Sequence, residues 1–212
     1  MEDPGTRYRY SEGTSVLGRL VEIWSGKPFE VFLEERVFRP LRMTDTMFWA
    51  ATPEQRARLT TAYAPAPGGG LTPIETEKLP FTERPALIEG AVGLLSTVPD
   101  YLRFSQMLLN KGELDGVRLL RAGTVEMMTS NGLPEAVQKT RNGSAGWGLG
   151  NVEVQLNPPV NATESRGEYG WDGTAGTIFS VDPGRQTVIL LFTASQPSNP
   201  DQIRQRFKAL VQ

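Results

Sequence analysis

The stretch YGWDGTAGTIFSVDPGRQTVILLFT, residues 169–193, decides the fold. Ala175 to Val181 and Gln186 to Thr193 are short runs rich in Thr, Ile, Val, Leu and Phe, the composition of strands. Between them Asp182-Pro183-Gly184-Arg185 combines a proline that presets a turn with a glycine that completes it, so the two runs form a hairpin. Upstream, Arg166 to Trp171 and Trp147 to Gln155 are further strand candidates. Strands that follow one another at turn-length spacing pair antiparallel. Downstream, Asn199-Pro200 opens a last helix, with Ile203, Phe207 and Leu210 expected to face the sheet.

Working back from Gly143, the pattern becomes helical. Val16, Leu17, Leu20, Val21 and Trp24 make one apolar face from Ser15 to Ser25, and Gly26 stops that helix. Pro28 to about Phe38 reads as a second helix, ended by Arg39-Pro40. Thr52 and Gln55 form a capping-box pair for a short helix from Pro53. Residues 64–90 hold Pro65, Pro67, Gly68-Gly69-Gly70, Pro73, Pro80 and Pro85 and read as a long loop. Thr97 caps the strongest helix, which carries Val98, Tyr101, Leu102, Leu108 and Leu109 inward as far as Gly112. A short helix near Thr124 to Met128 completes the set. The fold class expected is α+β: a mainly helical lobe over 1–140, then antiparallel strands and a terminal helix over 141–212, in one domain.

Composition limits the chemistry. With 39% hydrophobic and 22% charged residues, the 212-residue chain is an ordinary globular one, able to bury roughly 70% of its unfolded surface without metal or disulfide. No apolar run reaches membrane-span length, and the opening Met1-Glu2-Asp3-Pro4 has no secretory pattern, so the reading favours a cytoplasmic protein. A net charge of −2 gives no electrostatic reason to expect nucleic acid as a partner. Cysteine and histidine are both absent, which excludes thiol catalysis, the Ser-His-Asp triad and His- or Cys-ligated zinc. A base must come from Lys, Tyr, Asp or Glu. No cofactor or metal is expected. Gly146-Trp147-Gly148-Leu149-Gly150 lacks the spacing of a dinucleotide loop, and no P-loop occurs. Asn142-Gly143-Ser144 and Asn161-Ala162-Thr163 match the glycosylation sequon but are most simply loop residues.

Three segments resemble one family. Pro4-Gly5-Thr6-Arg7-Tyr8-Arg9-Tyr10-Ser11-Glu12-Gly13 is similar to the approach to the tyrosine motif of serine β-lactamase-like and penicillin-binding-protein-like proteins. Gly93-Leu94-Leu95-Ser96-Thr97-Val98-Pro99-Asp100-Tyr101-Leu102-Arg103-Phe104 resembles the helix after their active-site loop. Tyr169-Gly170-Trp171-Asp172-Gly173-Thr174-Ala175-Gly176-Thr177 resembles the strand lining their cleft. Leu41 to Thr46 and Gly112 to Gly116 also fit. The branch most similar is the family VIII carboxylesterases, relatives of class C β-lactamases and D-Ala-D-Ala peptidases.

The resemblance implies a β-lactamase/transpeptidase-like fold and a mechanism without histidine. A serine from a Ser-x-x-Lys motif attacks the acyl carbon, and lysine and a tyrosine share the base role. Tyr10 matches that tyrosine. Thr174 would give its backbone N–H to the oxyanion, Gly173 would keep the cleft wall low, and Trp171 would contact substrate. Glu12 and Asp172 are possible further contacts. Tyr10 and the 171–174 segment are expected on opposite walls of one pocket.

Two positions depart from the family pattern. Trp171-Asp172-Gly173 stands where penicillin-recognising members have Lys-Thr-Gly, which favours a neutral short-chain ester over a β-lactam. Glu12 replaces the asparagine of Tyr-x-Asn. In addition, none of Lys27, Lys78, Lys111, Lys139 and Lys208 follows a serine by three, so Ser-x-x-Lys is absent from this chain. The expectation is therefore the C-terminal part of such an enzyme, lacking the N-terminal portion and inactive alone, its nucleophile on a missing segment or a separate N-terminal fragment. Alternatives are a truncated, non-catalytic binding protein, a β-lactamase or D-Ala-D-Ala peptidase, and a carboxylate-dyad hydrolase drawn from the 24 acids.

Overall fold

A computed structural model describes residues 3, 5–75, 81–141, 144–160, 162–195 and 200–211. Pro4, Pro80, Asn142, Gly143, Asn161 and Asn199, which the sequence reading used, lie outside the described residues. Helix α1 is Gly13–Ser25, α2 is Phe29–Leu33, and a π-helical turn, Glu34–Phe38, continues it. Then come α3 (Pro53–Ala57), β1 (Ala62–Pro65), β2 (Leu71–Ile74) and α4 (Val98–Leu109). Next are β3 (Glu113–Leu114), β4 (Val117–Arg118), α5 (Ala122–Thr129) and α6 (Glu135–Gln138). The last part is β5 (Ala145–Trp147), β6 (Glu153–Gln155), β7 (Tyr169–Asp172), β8 (Ile178–Asp182), β9 (Thr187–Leu191) and α7 (Pro200–Val211). No helix among the described residues is long and apolar enough to cross a membrane.

The five C-terminal strands form one sheet in the order β5-β6-β7-β8-β9, every neighbour antiparallel. The β8–β9 turn forms as read: Asp182 Oδ1 accepts from the Gly184 and Arg185 N–H groups at 2.9 and 3.0 Å. Trp147 to Gln155 is two strands rather than one, because residues 148–152 turn back. Residues 64–90 are not wholly loop, since β1 and β2 pair there as a two-stranded ribbon. Tyr63 N–H also donates outward to Ala194 O at 2.8 Å, so the ribbon borders the segment after β9, and Pro65 and Pro73 stand where the β1–β2 ladder needs no donor.

Alternation along the sheet separates two faces. Tyr169 pairs with Val181, and Trp171 with Phe179, on the face that α4 covers. There Phe38, Leu41, Met43, Met107, Leu108, Val125, Tyr169 and Val181 make the core. Tyr101 of α4 lies 5.5 Å from Phe179 and 5.9 Å from Phe192, and burial pushes its phenol up to about 12. The caps that set these helices are the predicted ones: Thr97 accepts from Asp100 N–H, and Thr52 and Gln55 form the capping box. Asp100, itself buried, also accepts from Asp45 N–H at 2.7 Å and Thr46 Oγ1–H at 2.9 Å, tying the loop before α3 to α4.

The opposite face meets α7 chiefly through charge, and of the expected apolar stripe Phe207 alone is half-buried. Ile203 and Leu210 are 46% and 83% exposed, and Lys208 is the buried residue. Its ammonium donates to Glu168 Oε1 at 2.5 Å and Glu164 Oε1 at 3.3 Å. Ser180 Oγ–H also donates to Glu168 Oε1, and Ser165 N–H to Glu168 Oε2. A buried carboxylate of this kind has to be met by a cation and donors, and that need turns the helix.

Helix α1 is corrected in the same way. Val16, Leu17 and Trp24 are 59%, 54% and 78% exposed, and the residue it buries is Gly18. A Cβ on Gly18 would lie 3.2 Å from the Gly90 nitrogen, so the helix approaches its neighbours by its smallest residue.

Candidate active site

Sequence distance collapses at one end of β7. Strand β6 pairs only with Tyr169 and Gly170, so Trp171 and Asp172 project past its end. The segment leading into α1 lies there. The Trp171 indole N–H donates to Tyr10 Oη at 3.2 Å across 161 residues of sequence, with the ring centroids 5.5 Å apart. The two residues therefore touch, and do not face each other across an open cleft. Tyr10 is 62% exposed.

Trp147 is the buried support of this pair. Its ring meets Trp171 at 4.6 Å and 86°, and Tyr10 at 6.0 Å and 81°. Edge-to-face pairs of this geometry contribute beyond their buried area. Tyr8 packs on Trp147 at 5.3 Å, and the Arg141 guanidinium stacks over Tyr8 at 4.3 Å and over Trp147 at 5.1 Å. Arg141 Nη2 pairs with Glu153 at 3.0 Å, which fixes the stack. Burial raises the Tyr8 phenol above its ordinary value, against the opposing pull of Arg141.

The other predicted residues differ in their surroundings. Asp172 ends β7 and is half-buried. Thr174 is exposed in the turn after it, and among the described residues its N–H has no hydrogen-bond partner. Gly173 N–H donates to Thr177 O at 2.9 Å, and a Cβ there would lie 2.4 Å from Thr177 Oγ1. A larger residue there would have to displace the Thr177 side chain. Glu12 sits at the start of α1, where its carboxylate accepts from Ser15 Oγ–H at 3.3 Å.

Sequence reading missed Tyr8, Trp147 and Arg141 as parts of this cluster. Tyr8 lies two residues from Tyr10, and Trp147 reads from sequence as the start of a strand in a glycine-rich segment. Arg141 stands in a polar loop with no signal at all. Their roles arise from tertiary packing.

A cavity of about 90 Å³ adjoins this cluster, with Trp171 and Glu153 in its wall beside Glu164, Glu168, Ser180 and Lys208. Its charged groups are already paired, Lys208 with Glu164 and Glu168, and Glu153 with Arg141.

Comparison with known proteins gives a consistent picture. The Beta-lactamase family profile matches residues 1–212. An uncharacterized protein of Mycobacterium tuberculosis (strain CDC 1551 / Oshkosh) is 33% identical over 200 residues, covering 90% of this chain and 49% of that one. A putative D-alanyl-D-alanine carboxypeptidase of Escherichia coli (strain K12) is 27% identical over 214 residues, covering 93% of this chain and 47% of its own length. The chain thus spans about half the length of the curated relatives it matches. A mutant simvastatin synthase from Aspergillus terreus superposes with a TM-score of 0.85 at 24% identity, over 98% of this chain and 55% of that one. At that identity the likeness is one of fold.

Proposed function

The chain belongs to the β-lactamase family, a family of serine hydrolases, and we propose that it supplies the tyrosine-and-strand half of a carboxylesterase acting on short-chain esters. The observation that carries this reading is the contact between Tyr10 and Trp171. The two residues assigned to the cleft on separate motifs meet at one exposed place. We read residues 1–212 as part of a single β-lactamase-like domain, with a mainly helical portion over 1–140 and a sheet-and-helix portion over 141–212.

In this proposal a serine of a Ser-x-x-Lys segment outside these residues attacks the acyl carbon. Its proton passes to the lysine–Tyr10 pair, and the carbonyl oxygen becomes an oxyanion. The Thr174 N–H and the N–H of the serine stabilise that charge. Tyr10 then returns the proton to the departing alkoxide, and water releases the acid by the reverse sequence. Trp171 holds Tyr10 Oη through a one-way donor, since an indole N–H donates and never accepts. Glu12 and Asp172 flank the substrate.

Two surfaces support a companion half. Val16, Leu17, Ile23 and Trp24 leave an apolar ridge of α1 uncovered among the described residues, which in a globular protein marks an interaction site. Among the described residues the sheet ends at β9, a strand edge that pairs readily with another strand. Trp171 in place of a lysine removes the cation that would hold a β-lactam carboxylate, which favours a neutral ester.

The test is a fluorophosphonate probe followed by intact mass. No serine of the chain alone should label. Adding the half that carries Ser-x-x-Lys should give stoichiometric labelling of that serine and turnover of p-nitrophenyl butyrate. Tyr10→Phe should then cut turnover by roughly 10² to 10⁴, the range for a positioned proton-transfer group. Labelling of a serine within 1–212, or an unchanged rate in Tyr10→Phe, refutes the assignment. A complex that assembles yet neither labels nor hydrolyses esters supports the non-catalytic binding alternative instead.

A further inference from the structure

We infer that Asn151 is a positioning residue for the Tyr10–Trp171 pair, acting through Trp147 and Thr14. It lies in the turn between β5 and β6 with φ +60°, a left-handed conformation that asparagine tolerates better than most residues. Both ends of its amide are used. Oδ1 accepts from the Trp147 indole N–H at 3.1 Å, and Nδ2 donates to Thr14 Oγ1 at 2.7 Å. A neutral side chain that accepts at one atom and donates at the next is an amide.

The two partners bracket Tyr10. Trp147 is the ring on which both Tyr10 and Trp171 lean edge-on. Thr14 is in the first turn of α1, four residues after Tyr10. Tyr10 is too exposed for burial to fix it, so its place depends on the ring beneath it and the helix that follows it. Asn151 fastens these two to each other across 137 residues of sequence.

The catalytic significance rests on the assignment of Tyr10 proposed above, but the brace itself is read without turnover. The four tryptophans, Trp24, Trp49, Trp147 and Trp171, each give one indole N–H cross-peak in a ¹H–¹⁵N spectrum of the chain, assigned by Trp→Phe variants. Asn151→Gly keeps the backbone conformation and removes both bonds. It should shift the Trp147 and Trp171 cross-peaks and speed exchange of the Trp171 indole proton by about tenfold or more, a local opening. Trp24 and Trp49 should stay in place, which a general loss of stability would not produce. Asn151→Asp should restore the native pattern, because a carboxylate still accepts from Trp147 and the Thr14 hydroxyl can turn to donate. Thr14→Val cuts the other strut and carries the test alone if Asn151→Gly does not fold; it should move Trp171 as well. An unmoved Trp171 cross-peak in the Gly or Val variant, or no rescue by Asp, overturns the inference. Failure of the phosphonate experiment overturns the hydrolase reading and leaves the brace standing.

Discussion

Lys208→Met tests the structure where its energetics are most one-sided. The substitution keeps the length and most of the volume of the side chain and removes its charge. The Glu168 carboxylate it abandons is 2% exposed and retains the Ser180 hydroxyl and the Ser165 N–H as donors. Removing one member of a buried pair costs about 3–5 kcal/mol, because the other charge stays behind unmatched. In a chain of this size each kcal/mol moves the midpoint of thermal unfolding by roughly 2–4 °C, so a fall of about 6–20 °C is expected. Glu168→Gln should cost less, since Lys208 keeps Glu164 at 3.3 Å. The double variant, with neither charge, should recover most of the loss of Lys208→Met. Urea denaturation followed by circular dichroism gives all three values. A loss below about 1 kcal/mol for Lys208→Met, or a larger loss for Glu168→Gln, refutes the reasoning.

Three further outcomes are expected. Asp100→Ala strands the Asp45 N–H, while the Thr46 hydroxyl keeps Ser96 Oγ at 2.8 Å, so it should lose about 2–3 kcal/mol in the same urea assay, more than the roughly 1 kcal/mol of Thr97→Ala, which removes only a cap. Burial pushes Glu164 up, but the Lys208 ammonium and hydrogen bonds outweigh it and hold the carboxyl below its usual 4.5; its contribution is therefore present above that pH and lost as pH falls through the lowered value, and Glu164→Gln should flatten the acid limb of the stability curve. In the assembled enzyme, Trp171→Lys should narrow the preference for p-nitrophenyl esters over penicillins by about 10- to 150-fold, the contribution of a charge-assisted bond to the carboxylate; equal rates on both substrates in the unmodified protein would contradict the reading.

What sequence reading found was local. The capping pairs Thr52/Gln55 and Thr97/Asp100 and the Asp182–Arg185 turn are each complete within a few residues, and each formed as read. What it missed depended on partners far along the chain. Apolar spacing turned α7 inward by Ile203 and Leu210, whereas Glu168, forty residues earlier, claims Lys208. In α1 Val16, Leu17 and Trp24 of the apolar stripe are exposed while Leu20 and Val21 are half-buried, and Gly18 marks the packed face. At the site, Tyr10 and Trp171 were legible only through motifs of a known family. Trp147, Arg141 and Asn151 carry no sequence signal, because a ring stack and an amide bridge across 137 residues leave none.

Strand β7 joins these observations into one mechanical picture. Glu168, immediately before it, is tied to α7 by a buried charge, and Trp171, near its far end, is tied to Tyr10 by an indole N–H. Between them a Cβ on Gly170 would lie 2.1 Å from Phe179 O, so the strand is pressed against β8 along its length. The aromatic wall is thus held from behind by groups of this chain alone. Tyr10 reaches the wall through Trp147, Asn151 and Thr14, again groups of this chain. Under the proposed function, a companion half therefore has no need to build the cleft wall. It has to deliver a nucleophile to a surface already in place and to cover the apolar ridge of α1. Preorganisation of this kind lowers the cost of assembly, since side chains that are already ordered lose little freedom when a partner docks.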